Sequence, residues 1–392
     1  MATIALKRTK TVQVLNLYSH RISDMVRNLM FEFISNLNQD AIVMDNADVS
    51  IKIKSIVEGG AEIATTVRID STKNTTIIAE IEEKELLLNF KSYWYNDQYL
   101  YHELTLTSTE EFNFTDYNFF DYLLDNSVYH SEFKGAYINI ESDDAQNFHQ
   151  HELPERGFDD IYLPEKMLQD LKGYSMLYEK RQRMMRYLFV GLPGSGKTES
   201  LIVLANTLKK QGVTILKVSA AALRNGVKFA NILAPSLIVL DDIDLDLGNR
   251  DDYSQTGYLR SFLDILDGVE KLGANVGIIA TTNALWLVDT AAQRPGRFNK
   301  IMSFGELTHD NIKNIILKAL NHIEMDTYKK VLASKEMVEG YAEKKQTGAY
   351  IYNMTQMLAN QIDIGMIKPK TDEILAYMTD DADLIASLKA TE

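Results

Sequence analysis

Apolar residues recur at three- and four-residue spacing from Val12 to Leu37 (Leu15, Ile22, Met25, Val26, Leu29, Phe33, Leu37), the period of an amphipathic helix. From about Ser50 to Ile140 the period becomes two, as in Ile51, Ile53 and Ser55; Ile77, Ala79 and Ile81; Tyr99, Tyr101 and Glu103; and Tyr137 to Ile140. Alternation predicts strands with one buried face, and Gly59-Gly60 and Ser71 to Asn74 supply turn chemistry between them. After Phe158 the pattern changes to continuous apolar runs, Tyr187 to Gly191, Val213 to Val218, Leu237 to Leu240 and Val276 to Ala280, separated by helical stretches. Such runs predict parallel strands buried on both faces. Beyond Glu306 only helical spacing remains, as in Asn311 to Leu320 and Tyr350 to Ile362. The polar residues Asp143, Asp144, Gln146 and Asn147, then Pro154 and Gly157, mark a boundary. Three parts are expected: an α+β amino-terminal domain (1–155), an α/β domain with a parallel sheet flanked by helices (156–305) and a helical part (306–392).

Composition narrows the chemistry. The 392 residues are 45% hydrophobic and 24% charged, enough for separate cores, and 41 Lys plus Arg against 55 Asp plus Glu give a formal charge of -14. No global basic field therefore draws the chain to nucleic acid or anionic lipid. The absence of cysteine excludes disulfides, thiolate catalysis and cysteine-held zinc. No run approaches the roughly 18 to 20 apolar residues of a membrane span, so no span is expected and the protein reads as cytoplasmic. Lys7, Arg8, Lys10 and Arg21 precede the first acid, Asp24, which leaves the mitochondrial matrix as a minor alternative to a short basic tail. His149 and His151 lack a third ligand nearby and read as linker residues.

Gly191-Leu192-Pro193-Gly194-Ser195-Gly196-Lys197-Thr198 fits G-x-x-x-x-G-K-[ST], with an apolar strand before it and the helical run Thr198 to Lys209 after it. Glycines let backbone N–H groups close around phosphate oxygens at a helix N-terminus, which predicts ATP binding here. Lys197 supplies a mobile positive charge to the β- and γ-phosphates, and Thr198 a hydroxyl to Mg²⁺. A second strand ends in Asp241-Asp242, at the edge where open α/β sheets bind ligands. Asp241 is expected to hold Mg²⁺ and Asp242 to polarise the attacking water. The third strand runs into Thr281-Thr282-Asn283, whose Asn283 amide is placed to hold that water. Arg294 and Arg297, in Arg-Pro-Gly-Arg, carry guanidiniums suited to charge developing on a γ-phosphoryl group.

Together these pieces resemble the AAA family of ATPases, over about Phe158 to Met357. Phe158-Asp159-Asp160-Ile161 resembles the motif whose backbone borders adenine, Leu266-Asp267-Gly268-Val269 the segment before the third core strand, and Thr347-Gly348-Ala349 the lid-helix motif over the nucleotide. Asn283 stands at the family's polar sensor, and Asp289, Arg294 and Arg297 in the region that supplies arginine fingers to a neighbouring subunit. The resemblance implies an α/β P-loop NTPase with a carboxy-terminal helical lid, nucleotide-binding residues Asp160, Ile161, Gly191, Pro193 to Glu199, Gly348 and Ala349, and a homo-oligomeric, most often hexameric, ring. Asp242 departs from the family's usual Glu. The segment Ser219 to Pro235 is short, and its expected pore-facing stretch, Leu223 to Val227, lacks the aromatic residue of unfolding translocases. In that shortness it is similar to the mitochondrial subfamily that translocates a folded iron–sulfur protein, without that subfamily's membrane anchor.

The leading expectation is an ATPase that remodels or translocates protein clients recognised by the amino-terminal domain. A nucleic-acid motor using Lys180, Arg181, Arg183 and Arg186 as a basic stripe, and a nucleotide-gated assembly scaffold of low turnover, are the alternatives.

Overall fold

The computed structural model describes strand backbones between 42 and 108, then residues 131–140 and 149–374 apart from 181–184, 220–221, 245–261, 263, 268–271, 284–296, 306, 322–325 and 372. The expected helix from Val12 to Leu37 lies outside these residues. Two compact units emerge, one of 1–134 with 144–147 and one of 135–143 with 148–392.

In the first unit the period-two segments form an antiparallel sheet of β1 (Ile42–Met44), β2 (Val49–Glu58), β3 (Ala61–Ile63), β4 (Thr75–Ile81), β5 (Lys84–Tyr95) and β6 (Tyr99–Ser108). Its order is β1-β2-β4-β5-β6, with β3 paired to β2. A register shift between Ile53 and Ser55 breaks the β2–β4 ladder, the signature of a bulge that bends a strand.

The second unit holds β7 (Tyr137–Ile140), β8 (His149–Gln150), β9 (Arg186–Gly191), β10 (Thr214–Val218), β11 (Ser236–Leu240), β12 (Val276–Thr282) and β13 (Lys300–Phe304). They lie in the order β13-β9-β12-β11-β10-β7-β8, parallel throughout except for β8 against β7. Every residue of β11 and β12 is buried, as central strands covered on both faces require. Strand β13 alternates exposed and buried positions from Ile301 to Phe304, which is why no continuous apolar run announced it.

One expectation is corrected here. Tyr137 to Ile140, grouped by its alternation with the amino-terminal strands, pairs in parallel with Ile215 to Val218 of the second unit. A strand near a sheet edge, with Ile138 and Ile140 buried between half-buried Tyr137 and Asn139, has the same period as an antiparallel one, so pattern alone assigns it to the nearest neighbours in sequence.

The helices are α1 (Glu165–Glu179), α2 (Lys197–Lys210), α3 (Leu223–Ile232), α4 (His309–Ala319), α5 (Asp326–Leu332), α6 (Lys335–Glu343) and α7 (Gly348–Asp363). Leu201, Leu204 and Leu208 of α2 join Leu171 and Tyr174 of α1 in one core with Phe189, Val239 and Ile279 of the sheet. Residues after Leu307 build a second core from Ile312, Ile316, Met337, Tyr341, Ile351 and Leu358. Three of its helices start at side-chain caps, where Thr308, Ser334 and Thr347 accept from the N–H groups of Asn311, Met337 and Tyr350. The stretch Leu223 to Val227, expected to face a pore, instead opens α3, with Leu223 and Val227 buried. Gly226 there lies so close to Val218 that a Cβ would stand 2.6 Å from its Cγ1. The apolar residues at helical spacing serve the core and are not a pore loop. Among the described residues no helix is long and apolar enough to cross a membrane.

Two buried tyrosines tie α1 to the beginnings of the strands. The Tyr178 hydroxyl donates to Ser236 O at 2.7 Å and accepts from Gly277 N at 3.1 Å, while Tyr174 donates to Met185 O at 3.0 Å. A Cβ on Gly277 would lie 2.3 Å from one hydroxyl and 2.5 Å from the other. Tyr178→Phe strands a buried donor and a buried acceptor, so it should lower the unfolding free energy of this unit by about 1–3 kcal/mol. Gly277→Ala should be at least as damaging through the clash. The urea midpoint read by circular dichroism checks both.

Candidate functional site

At the carboxyl end of β9 the chain turns through Leu192 to Ser195 and enters α2. Gly194 and Gly196 sit at φ 76° and 101°, a region closed to most side chains. Gly194 also has no room for a Cβ, which would lie 2.8 Å from Ala349 Cβ. Ala349 N donates to Gly194 O at 3.0 Å, so the start of α7 rests directly on the loop. Ser195 Oγ is buried and has no hydrogen-bond partner. A buried orphan donor in a glycine loop at a helix N-terminus fits an anionic oxygen.

The lysine that follows organises the rest. Lys197, only 5% exposed, donates from Nζ to Gly191 O at 2.7 Å, to Leu192 O at 3.1 Å and to Asn283 Oδ1 at 2.8 Å. Asn283 Nδ2 donates onward to Asp242 Oδ1 at 3.0 Å, and Asn283 N donates to Asp244 Oδ1 at 2.9 Å. Burial lowers the Lys197 pKa, against the carboxylates of Asp242, Asp244 and Asp241, which raise it. Asp242 is held above the usual carboxylate range, first by burial and then by the charges of Asp241 and Asp244, with the Asn283 bond and Lys197 pulling the other way. Its backbone is left-handed, φ 49°, and its N–H is fixed by Thr281 Oγ1 at 2.8 Å. Aspartate tolerates that conformation better than most residues, and it aims the shorter carboxylate at the lysine and asparagine.

These groups line a cavity of about 550 Å³. Of the residues expected at a nucleotide, Asp160, Ile161, Pro193, Gly194, Ser195, Gly196, Lys197, Thr198, Glu199, Gly348 and Ala349 border it, together with Asp242 and Asn283. Gly191 contributes its carbonyl to Lys197. Sequence reasoning missed Arg156, Tyr162, Leu307, Ile315, Lys318, Tyr352 and Asn353 on the same wall. Lys318 donates to Asp160 O at 2.6 Å and Asn311 Nδ2 to Leu163 O at 3.2 Å. Seven residues apart on α4, these two share a helix face, and that spacing is the signal that a sequence could have offered. Arg156 Nε lies 3.2 Å from Glu199 Oε2 beside the loop.

Two further expected residues, Asp241 and Arg297, are not at the cavity. Asp241 does not border it; its carboxylate accepts from Thr281 Oγ1 at 2.8 Å and pairs with Lys217 Nζ at 3.1 Å. Arg297 is buried and chelated by Asp267, with Nε 2.7 Å from Oδ1 and Nη2 bonded to Oδ2, while Nη1 is buried with no partner. Arg186 of β9 donates to the carbonyl of Leu266 beside this pair, so of the basic stripe this member is engaged within the fold. Arg297 therefore sits at the amino-terminal edge of the sheet. The phosphate loop lies at the other end of β9, about 17 Å away at ~3.3 Å per residue, beyond the reach of Arg297 toward its own loop. Arg294, Asp289, Arg181 and Arg183 fall outside the described residues.

Among the described residues no group of three or more His, Cys, Asp or Glu side chains is gathered as a metal cage. The Thr198 hydroxyl, a hard oxygen donor at the loop, suits a magnesium ion that keeps most of its shell for phosphate and water. Fold and site thus define a P-loop nucleotide-binding domain. Residues 187–306 match the profile of the ATPase family associated with various cellular activities (AAA). The ATPase family gene 2 protein of Saccharomyces cerevisiae is 34% identical over 154 residues, 36% of this chain and 20% of that protein. The proteasome-activating nucleotidase of Aeropyrum pernix is 28% identical over 175 residues, 38% and 42% of the two chains. Peroxisomal ATPase PEX6 of Kluyveromyces lactis is 31% identical over 147 residues, 34% and 15%. A solved structure, the FIGL-1 AAA domain, aligns at a TM-score of 0.45 and 21% identity over 55% of this chain and 76% of that one. The alignments span less than half the length of each of these three curated relatives. Residues 187–306 are thus similar to the ATPase domain of the AAA family.

The Arg297–Asp267 chelate should behave as a structural brace. In a double-mutant cycle of Arg297→Ala and Asp267→Ala, the urea midpoints should give a coupling of about 1 kcal/mol, kept low because Asp267 is half exposed.

Proposed function

We propose that this chain binds ATP with magnesium and hydrolyses it to ADP and phosphate, as a mechanoenzyme that works in a ring, most often a hexamer, and moves or dissociates protein clients held by the amino-terminal unit. The observation that carries the catalytic part is the chain from Lys197 through Asn283 to Asp242 along the wall of a single cavity. Phosphate oxygens displace the carbonyls of Gly191 and Leu192 from the Lys197 ammonium, which then neutralises the β- and γ-phosphates. Asn283, freed from Lys197, keeps its amide N–H₂ on Asp242 and turns its carbonyl to the attacking water. The Asp242 carboxylate accepts that water's proton as oxygen attacks the γ-phosphorus and the bond to the β-phosphate oxygen breaks. Thr198 would hold the magnesium with phosphate oxygens and water, leaving Asp242 free as the base; the ion's chemistry is to spread the charge developing on the transferred group. Asp160 and Ile161 border the base, and the contact of Ala349 with Gly194 couples nucleotide binding to the helical lid.

The ring rests on family resemblance. The Asp267 chelate holds Arg297 as a brace, and the resemblance assigns the finger role to Arg294. Protein clients are favoured over nucleic acid by the formal charge of -14 and by the engagement of Arg186. A cytoplasmic location accords with the missing cysteine.

ATP turnover alongside light scattering tests this. Lys197→Ala and Asp242→Asn should each lower turnover by at least about 100-fold while the wild type turns over as a ring; normal turnover in a dilute monomer sinks the shared site. The pH profile adds a signed check. Asp242 works ionised, so turnover should fall as pH drops through its raised pKa, above the usual carboxylate range. Asn283→Ala removes a bond that lowers this pKa, so its residual activity should lose its acid limb at still higher pH.

A further inference from the structure

Lys217 is a cation that the nucleotide chemistry does not use. On β10 it stands abreast of Val239 of β11, which stands abreast of Ile279 of β12. Two residues further on, the same face carries Asp241 and Thr281. That face is covered by α2, since Val239 and Ile279 share a core with Leu201 and Leu204. Lys217 therefore leans forward along the P-loop side of the sheet to Asp241.

Both oxygens of Asp241 are committed. Thr281 donates to Oδ1 and the Lys217 ammonium binds Oδ2, leaving the Asp241 side chain 19% exposed. Its neighbour Asp242 borders the cavity with Thr198, and Asp241 does not. The carboxylate that the motif would give to magnesium is thus already neutralised by a cation of the chain's own. Lysine suits an exchangeable role, being a compact, strongly hydrated charge on a flexible stem, and this one is 41% exposed.

We propose that Lys217 is the resident counter-ion of Asp241 and sets the magnesium requirement of nucleotide binding: an ion arriving with the nucleotide must displace the ammonium from Asp241 or be held without it. This rests on the ATP–magnesium reading above. The charged groups around the position are Asp241, Asp242 and Asp244 against Lys197 and Lys217. Removing one of the two ammoniums makes the site more attractive to a dication, and at a part-buried position salt screens little of that change. Lys217 thereby acts as a positioning residue, through Asp241, and touches no nucleotide itself.

The full chain is titrated with fluorescent ADP at a series of free magnesium concentrations and in EDTA, as wild type, Lys217→Met and Lys217→Arg. The methionine retains the stem without the charge. It should lower the magnesium concentration for half-maximal enhancement of binding about tenfold, the effect of roughly one Coulombic contact screened nearly as in water, as the exposure of Lys217 implies, with metal-free affinity unchanged. The arginine variant should follow the wild type. An unshifted or raised magnesium midpoint in Lys217→Met overturns the proposal while the nucleotide reading stands. Loss of metal-free affinity as well would make Lys217 structural and also overturn it. If wild type binds ADP under no condition, the nucleotide reading falls and takes this inference with it.

Discussion

A buried ammonium decides the architecture of the second unit. Lys197 is almost wholly covered, and taking a charge out of water costs several kcal/mol unless polar partners replace the solvent. Two carbonyls of the loop, the Asn283 amide and nearby carboxylates do so. Those partners arrive on three separate strands, so the lysine is tolerated only when β9, β11 and β12 lie side by side in parallel with their carboxyl ends level. The same requirement puts polar ends on one edge of the sheet and leaves the middle of each strand apolar.

The two edges then divide the work. At the carboxyl edge lie the glycine loop, the carboxylates and the asparagine. At the amino edge, Tyr174 and Tyr178 reach into strand backbones, and Arg186, Asp267 and Arg297 lock the turn that leads into β13. Arginine's planar fork suits such a chelate. A residue that reads as catalytic by motif is thereby held as a brace, and its free Nη1 points to no phosphate of its own chain.

Lid and loop meet through backbone as much as through side chains. Ala349 N on Gly194 O, Lys318 on Asp160 O and Asn311 on Leu163 O fasten the helical core to both ends of the cavity. All three acceptors are backbone carbonyls, which leave no trace in residue type, whereas two of the donors are the side chains of Lys318 and Asn311.

Periodicity and local chemistry belonged to the sequence. Continuous apolar runs announced β9 to β12 because central parallel strands are buried on both faces, and the glycine loop with Lys197 was legible because few backbones can cradle phosphate. What only the tertiary structure decided was partnership across the sheet. Pattern could not say that Tyr137 to Ile140 joins β10, since a strand near a sheet edge alternates whether its neighbour runs parallel or antiparallel. Nor could it say that Leu223 to Val227 packs as helix, that Asp241 is taken by Lys217, or that Arg297 is held by Asp267. In the strand pairing and the two ion pairs the deciding contact joins residues far apart in the chain, whose meeting depends on strand order and on which face each side chain takes.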